Sequence, residues 1–182
     1  SRHACKTPYF SEIPEEFIHY LQYEREPVAG DLPFMLELAH YEWVEMALSI
    51  SRQEAPVADM AFAKNPHNYP IAISSLAWPL LYQYPVQRIS PDFQPQQAPE
   101  QPTPLVVYRD AAFELHFLLI SPMTFRLLQI LQEKPGLFMS QWLQQLIEES
   151  SHPSPQILKT GGEQIIRELA EKGIIHPARI SN

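Results

Sequence analysis

Between Leu105 and Leu119 the apolar residues recur in a pattern that suits a pair of strands. Leu105, Val106, Val107, Tyr108 and Arg109 form a β-rich run. Phe113, Leu115, Phe117 and Leu119 then return at every second position, which predicts one face of a second strand. Asp110-Ala111-Ala112 separates the runs, so an antiparallel hairpin is the economical arrangement, although the turn lacks an Asn-Gly or Asp-Gly pair. Three helices should follow. Ser121-Pro122 supplies a capping hydroxyl and a proline at the first helical position, and Thr124, Leu127, Leu128 and Leu131 keep helical spacing until Pro135-Gly136. Trp142, Leu143, Leu146 and Ile147 mark a second helix ending near Ser150. Ser154-Pro155 repeats the start signal for a third, with Leu158, Ile165, Ile166 and Leu169 facing inward and Gly173 as the stop. Ile174-Ile175 reads as a short closing strand.

The expected fold class is α+β: a helical N-terminal region followed by a winged-helix-like module with a small antiparallel sheet and three helices. The boundaries drawn from the sequence are residues 1–77 for the helical region, 78–104 for an edge strand with a proline-rich connection, and 105–182 for the module. Such a module can lay its third helix in a DNA groove, or its sheet edge can accept an extended peptide. The fold by itself does not choose.

Upstream, Ser11 to Arg25 reads as a helix, with Pro14 early, Glu15 and Glu16 at the positive end of the dipole, and Phe17, Ile18 and Leu21 apolar. Pro8-Tyr9-Phe10 before it is a candidate anchor. Asp31 is expected to cap a long helix from Leu32 to Ile50, whose broad inward face would be Leu32, Met35, Leu36, Ala39, Trp43, Met46, Ala47 and Ile50. Phe34, Leu38, Tyr41, Val44 and Leu48 make its flanks apolar as well, leaving only Glu42, Glu45 and Ser49 as a polar stripe. A helix so apolar around its circumference calls for protein on most sides. Prolines 56, 66 and 70 deny residues 51–77 a long element, with a short helix expected over 55–63. Trp78 to Ile89 alternates like an edge strand, since Pro79 and Pro85 cannot serve a central ladder. Five prolines and four glutamines from Ser90 to Pro104 describe an extended connection.

Charge argues about partners. Residues 1–104 carry 6 Lys/Arg against 13 Asp/Glu, and residues 105–182 carry 7 against 8, which together make the net charge of −8. An acidic first half repels phosphate, and near-neutrality in the second gives no general attraction. Cys5 is the single cysteine, which excludes an intrachain disulfide and leaves the cytoplasm as the default compartment. No apolar run approaches the length of a bilayer span, so no membrane partner is expected. Phosphate-binding loops and His-Glu-x-x-His are absent from the sequence, and the seven histidines lack short metal-ligand spacing, so no catalytic residue, cofactor or metal site is assigned. Lys159, Arg167 and Lys172 on the third helix are the residues a DNA-binding reading would use, but Glu163, Glu168 and Glu171 are interspersed, and pairs such as Glu163–Arg167 and Glu168–Lys172 are the simpler use. Gly161-Gly162 within that helix costs about 1 kcal/mol per residue relative to Ala and marks close packing, a bend or a delayed start.

The ordered set Pro8-Tyr9-Phe10-Ser11-Glu12-Ile13-Pro14, Leu32-Pro33-Phe34-Met35-Leu36-Glu37-Leu38-Ala39-His40-Tyr41-Glu42-Trp43, Gln83-Tyr84-Pro85-Val86 and Leu105-Val106-Val107-Tyr108-Arg109 resembles the HvfC family, once regarded as DNA-binding. The resemblance implies a helical N-terminal domain, of which this chain has the latter part, and a C-terminal module similar to domains that hold the leader of ribosomally made precursor peptides. It also implies a separate multinuclear iron oxygenase as partner, which modifies the precursor while this chain acts as a non-catalytic adaptor; a DNA-binding regulator is the alternative. Candidate peptide contacts carried over from it are Phe113, Glu114, Leu115, His116 and Phe117 on the second hairpin strand, with Arg167, Glu168 and Glu171 on the third helix. Pro85 leaves the other sheet edge open as an alternative. A proline at Leu115 is expected to disrupt the module.

Overall fold

A computed structural model describes residue 7 and residues 12–26, 28–150 and 154–178. Cys5, the Pro8-Tyr9-Phe10 anchor, Pro27, His3 and His152 lie outside the described residues. The fold is α+β, with helices first, then a small antiparallel sheet and three further helices. In chain order the elements are α1 (Ile13–His19, prolonged by a π-helical turn Tyr20–Glu24), α2 (Met35–Ile50), α3 (Met60–Lys64), β1 (Ile71–Ile73), β2 (Ala77–Tyr82), β3 (Thr103–Arg109), β4 (Leu115–Leu119), α4 (Pro122–Glu133), α5 (Met139–Ser150), α6 (Pro155–Glu171) and β5 (Ile175–Pro177). Strands β2, β3 and β4 form one sheet in that order, and β1 pairs with β5 in a second. The contacts divide the chain into two interleaved compact units, Ser1–Ile50 with Leu81–Thr103 and Ser51–Leu80 with Pro104–Asn182.

In the first unit, α2 turns a different face inward from the one its spacing favours. Phe34, Tyr41, Val44 and Leu48 are buried, whereas Leu32, Leu36 and Ile50 are exposed. A helix apolar on nearly every side offers several stripes of equal merit, and here aromatic partners select one. The Tyr41 ring meets Tyr82 edge-on at 6.3 Å, and Phe34 meets Tyr84 at 6.1 Å. Glu37 reinforces that side by accepting from the backbone N–H groups of Gln83 and Tyr84, both at 2.9 Å. Asp31 does not cap α2. Its carboxylate holds Arg25 through both oxygens at 2.6 and 2.5 Å and accepts from Val28 N–H, closing the turn ahead of the helix. Met35, Ala39, Trp43 and Met46 of the expected inward face line an open groove with Pro14 and Phe17 of α1 instead.

The second unit has its core among α3 to α6, centred on Phe62, Leu127, Leu131, Trp142, Ile166 and Ile175. Ser121 caps α4 as its sequence requires, accepting from Thr124 N–H at 3.0 Å. The Trp142 indole donates to the buried Leu127 carbonyl, which locks α5 against α4. Gly162 is a packing glycine: a Cβ there would lie 2.3 Å from Leu143 Cδ2, so α5 and α6 approach closely. The short helix expected over 55–63 is displaced to Met60–Lys64, because Asp59 accepts from Ala61 and Phe62 N–H and fixes the start there. Strand β1 escapes a reading that treats 51–77 as broken by prolines. It is only three residues long, and Pro70 stands just outside it. The closing strand pairs with β1, Ile73 opposite Ile175, and not with the hairpin.

Helix α6 ends in a Schellman turn, with Gly173 N–H bonded to Ala170 O and Ile174 N–H to Leu169 O, both at 3.0 Å. Gly173 adopts φ +69°, and a Cβ there would stand 3.0 Å from the Pro56 carbonyl oxygen. Gly136 adopts φ +84° with open space around it. Gly173→Ala should therefore cost about 1–2 kcal/mol in urea unfolding, more than Gly136→Ala, whose cost is conformational alone.

His40 Nδ1 lies 2.8 Å from the Tyr82 hydroxyl inside the first unit. Burial pushes the imidazole below its usual range, against the opposing pull of Glu37. The unfolded chain then binds the proton more readily than the folded one. The stability held by neutral His40 is complete above the unfolded value and falls as pH drops through it, so the urea midpoint should decline between about pH 7 and pH 5.5, and His40→Gln should flatten that decline.

Candidate functional site

The β3–β4 turn is built by one carboxylate. Asp110 N–H bonds Glu114 O at 3.0 Å and Phe113 N–H bonds Asp110 O at 3.1 Å, which makes a three-residue loop of Ala111, Ala112 and Phe113. Asp110 Oδ1 accepts from the N–H groups of Ala112 and Glu114, and Oδ2 lies 2.7 Å from His116 Nε2. Phe113 occupies the left-handed position with φ +65°, a place that favours glycine. The alternation that put Phe113 on the strand is thereby corrected: Phe113 and Glu114 belong to the turn, and β4 begins at Leu115. The Phe113 ring is 71% exposed and sits 5.3 Å from the Arg109 guanidinium. Arg109 itself is buried, donating to Ser51 O at 2.9 Å and Gln53 O at 2.5 Å.

The register fixes which groups of β4 are left over. Arg109 faces Leu115, Val107 faces Phe117 and Leu105 faces Leu119. The bonds Ile120 N–H to Pro104 O and Asp110 N–H to Glu114 O mark the two ends of the ladder as hydrogen-bonded pairs. Antiparallel pairs alternate, so Tyr108–His116 and Val106–Leu118 are also bonded, while Leu115, Phe117 and Leu119 aim their N–H and C=O groups away from β3. No strand among the described residues pairs with that outer edge. Phe117 and Leu119 are 51% and 54% exposed on it, in contrast to β3, where Leu105, Val106 and Val107 are all buried. Sheets usually guard an edge with proline, lysine or a bulge. Strand β2, at the opposite side, contains Pro79; β4 contains none of these. Because the Leu115 N–H points outward, a proline there would leave the β3–β4 ladder whole, contrary to the expectation that it breaks the module.

The helix residues distribute themselves around this strand unevenly. His116, Tyr108 and Asp110 share an open cleft of about 350 Å³ with Glu171 and Lys172 at the end of α6, walled by Pro56. Arg167 and Glu168 are exposed further back on α6 and do not line it. Glu168 accepts from Gln164 at 3.0 Å, so its i,i+4 partner lies on the N-terminal side and not at Lys172. Lys159 lines a different cleft with His67 and Glu163. At 1.5 Å per residue, Lys159 and Lys172 stand about 20 Å apart along the axis, and their positions differ by well over a quarter turn. The three basic residues do not make one face.

A model of the HvfC C-terminal domain matches residues 74–170, more than half of the chain. The chain belongs to the HvfC family. The match runs from the residues just before β2 to the last turn of α6, so the open edge, the Asp110 turn and the α6 end of the cleft all fall in or beside the HvfC domain. No helix among the described residues is long and apolar enough to cross a membrane.

Asp110, Glu114 and His116 bring one oxygen or nitrogen each within 4.8 Å of one another, a cluster at i, i+4 and i+6 that holds a single histidine and so lacks the spacing of a histidine pair. Asp110 already spends both oxygens on the turn, so a cation there would compete with the bonds that shape the hairpin. Desolvation works to raise the Asp110 pKa, but the hydrogen bonds from His116 and the Glu114 and Ala112 N–H groups outweigh it and hold the carboxyl below its usual value of 3.8. Burial, assisted by the Asp110 charge, raises the Tyr108 phenol. A depressed carboxylate stabilises the fold above its unfolded pKa and loses that contribution as pH falls through the folded value. Asp110→Ala should cost about 1–2 kcal/mol at neutral pH, and the difference from the native chain should shrink below about pH 4. Paired urea titrations at the two pH values would read it.

Proposed function

We propose that this HvfC family protein is a non-catalytic adaptor that receives the leader of a precursor peptide as an added strand on β4 and presents it to a modifying enzyme. The observation that carries this reading is the unguarded outer edge at Leu115, Phe117 and Leu119. Main-chain pairing would fix the register of the peptide, and side chains beside the edge would give specificity. Successive residues of an added strand alternate between faces, so the two that neighbour Phe117 and Leu119 should be apolar. The intervening one falls on the His116 face, toward the cleft that ends at Glu171. Arg167 and Glu168 would take part only through a segment longer than the strand itself. Holding the peptide by its leader raises the local concentration of its reactive segment at the enzyme, which is how an adaptor accelerates a reaction it does not perform. The family resemblance names a multinuclear iron oxygenase for that enzyme; the iron would then belong to the partner.

Hydrogen exchange tests the edge residue by residue. In the free monomeric chain, at low micromolar concentration, the amides of His116 and Leu118 should be protected by β3, and those of Leu115, Phe117 and Leu119 should exchange quickly. Saturation with the precursor leader should slow the second set. Leu115→Pro should leave the fold intact and weaken leader binding about two- to tenfold, the worth of one hydrogen bond. A leader that binds without protecting those three amides, or that fails to bind at all, removes the proposal.

A further inference from the structure

We infer that the same open edge pairs with a second copy of the chain when no peptide occupies it, by antiparallel β4–β4′ association about a two-fold axis at Phe117. The outward-facing residues are Leu115, Phe117 and Leu119, and they are symmetric about the middle one. If Phe117 stands opposite its own mate, Leu115 of one copy faces Leu119 of the other, and the reverse. All three pairs then exchange N–H···O=C bonds, because each of these residues has both backbone groups directed outward. Every cross-strand pair so formed joins large apolar side chains, which is the combination that stabilises a ladder.

Charge favours the same register. From Leu115 to Leu119 the strand holds no acidic or basic residue apart from His116, which would face Leu118 of the other copy. The flanking Glu114 would face Ile120, so no like charges meet. The strand therefore opposes itself without a repulsive pair, although the chain as a whole carries −8. Half-exposed Phe117 and Leu119 would each gain a neighbour on the same face. Five residues a side fall far short of the roughly 1,600 Å² of a standard interface, so the pairing is weak and reversible. It guards an edge that has no proline or lysine of its own, and it yields to any strand that makes further contacts.

A residue on a two-fold axis meets itself, and this gives a sharp test on the full chain. At physiological salt, sedimentation velocity from micromolar to millimolar concentration should show the native chain associating. Phe117→Lys and Phe117→Glu should each weaken association at least about tenfold, since either charge faces its like. An equal mixture of the two variants should associate again, as opposite charges then meet on the axis. Circular dichroism of each variant confirms that the exposed substitution leaves the fold in place. Monomeric native chain across the range, a single variant that associates like the native chain, or a mixture no better than its components would overturn the inference. Leader binding, measured by hydrogen exchange on the native chain, is read separately. A monomer that still protects Leu115, Phe117 and Leu119 with leader defeats only the self-pairing.

Discussion

Strand β3 depends on neighbours at both of its edges, and much of the second unit follows from that requirement. Backbone groups buried without partners are costly, and β3 is buried along nearly all its length. It finds β2 on one side and β4 on the other. Strand β4 thus serves β3 with half of its own backbone and has the other half left over. The imbalance is geometric, since the last strand of an open sheet always carries a free row. What distinguishes this sheet is that the row lies beside exposed phenylalanine and leucine instead of beside residues that repel a newcomer.

Where a local rule decides the structure, the sequence was a sufficient guide. Ser121-Pro122 starts α4, Pro135-Gly136 lies beyond its end, and Gly173 closes α6 through a left-handed turn. These signals act over three or four residues and need nothing from the rest of the molecule. The hairpin was legible for the same reason, although its turn was not: Asp110 replaces the usual glycine chemistry with backbone hydrogen bonds accepted by one side chain, and Phe113 tolerates the left-handed conformation beside Arg109.

Tertiary choices were less visible. The apolar residues of α2 admit several inward faces, and only contacts to Tyr82 and Tyr84, forty to fifty residues later, pick the Tyr41 side. Asp31 stands where a helix cap belongs, but Arg25 offers a stronger, two-pronged partner. Strand β1 exists because β5 and residues 136–138 bond to it from both sides, and three residues carry too little periodicity to announce that. For the candidate site, the strand was identifiable and its open side was not. That property belongs to the register, which places Leu115, Phe117 and Leu119 out of phase with the bonds to β3.

The missing side chain at Gly162 has a mechanical consequence. With the Leu143 Cδ2 methyl set into the space that a Cβ at Gly162 would fill, the two helices meet closely at that level, and a larger side chain there would have to turn Leu143 aside. Close packing of this kind favours movement of α5 and α6 together. Glu171 and Lys172 stand at the end of the same helix, so the cleft wall they form is tied through α6 to its seat on α5.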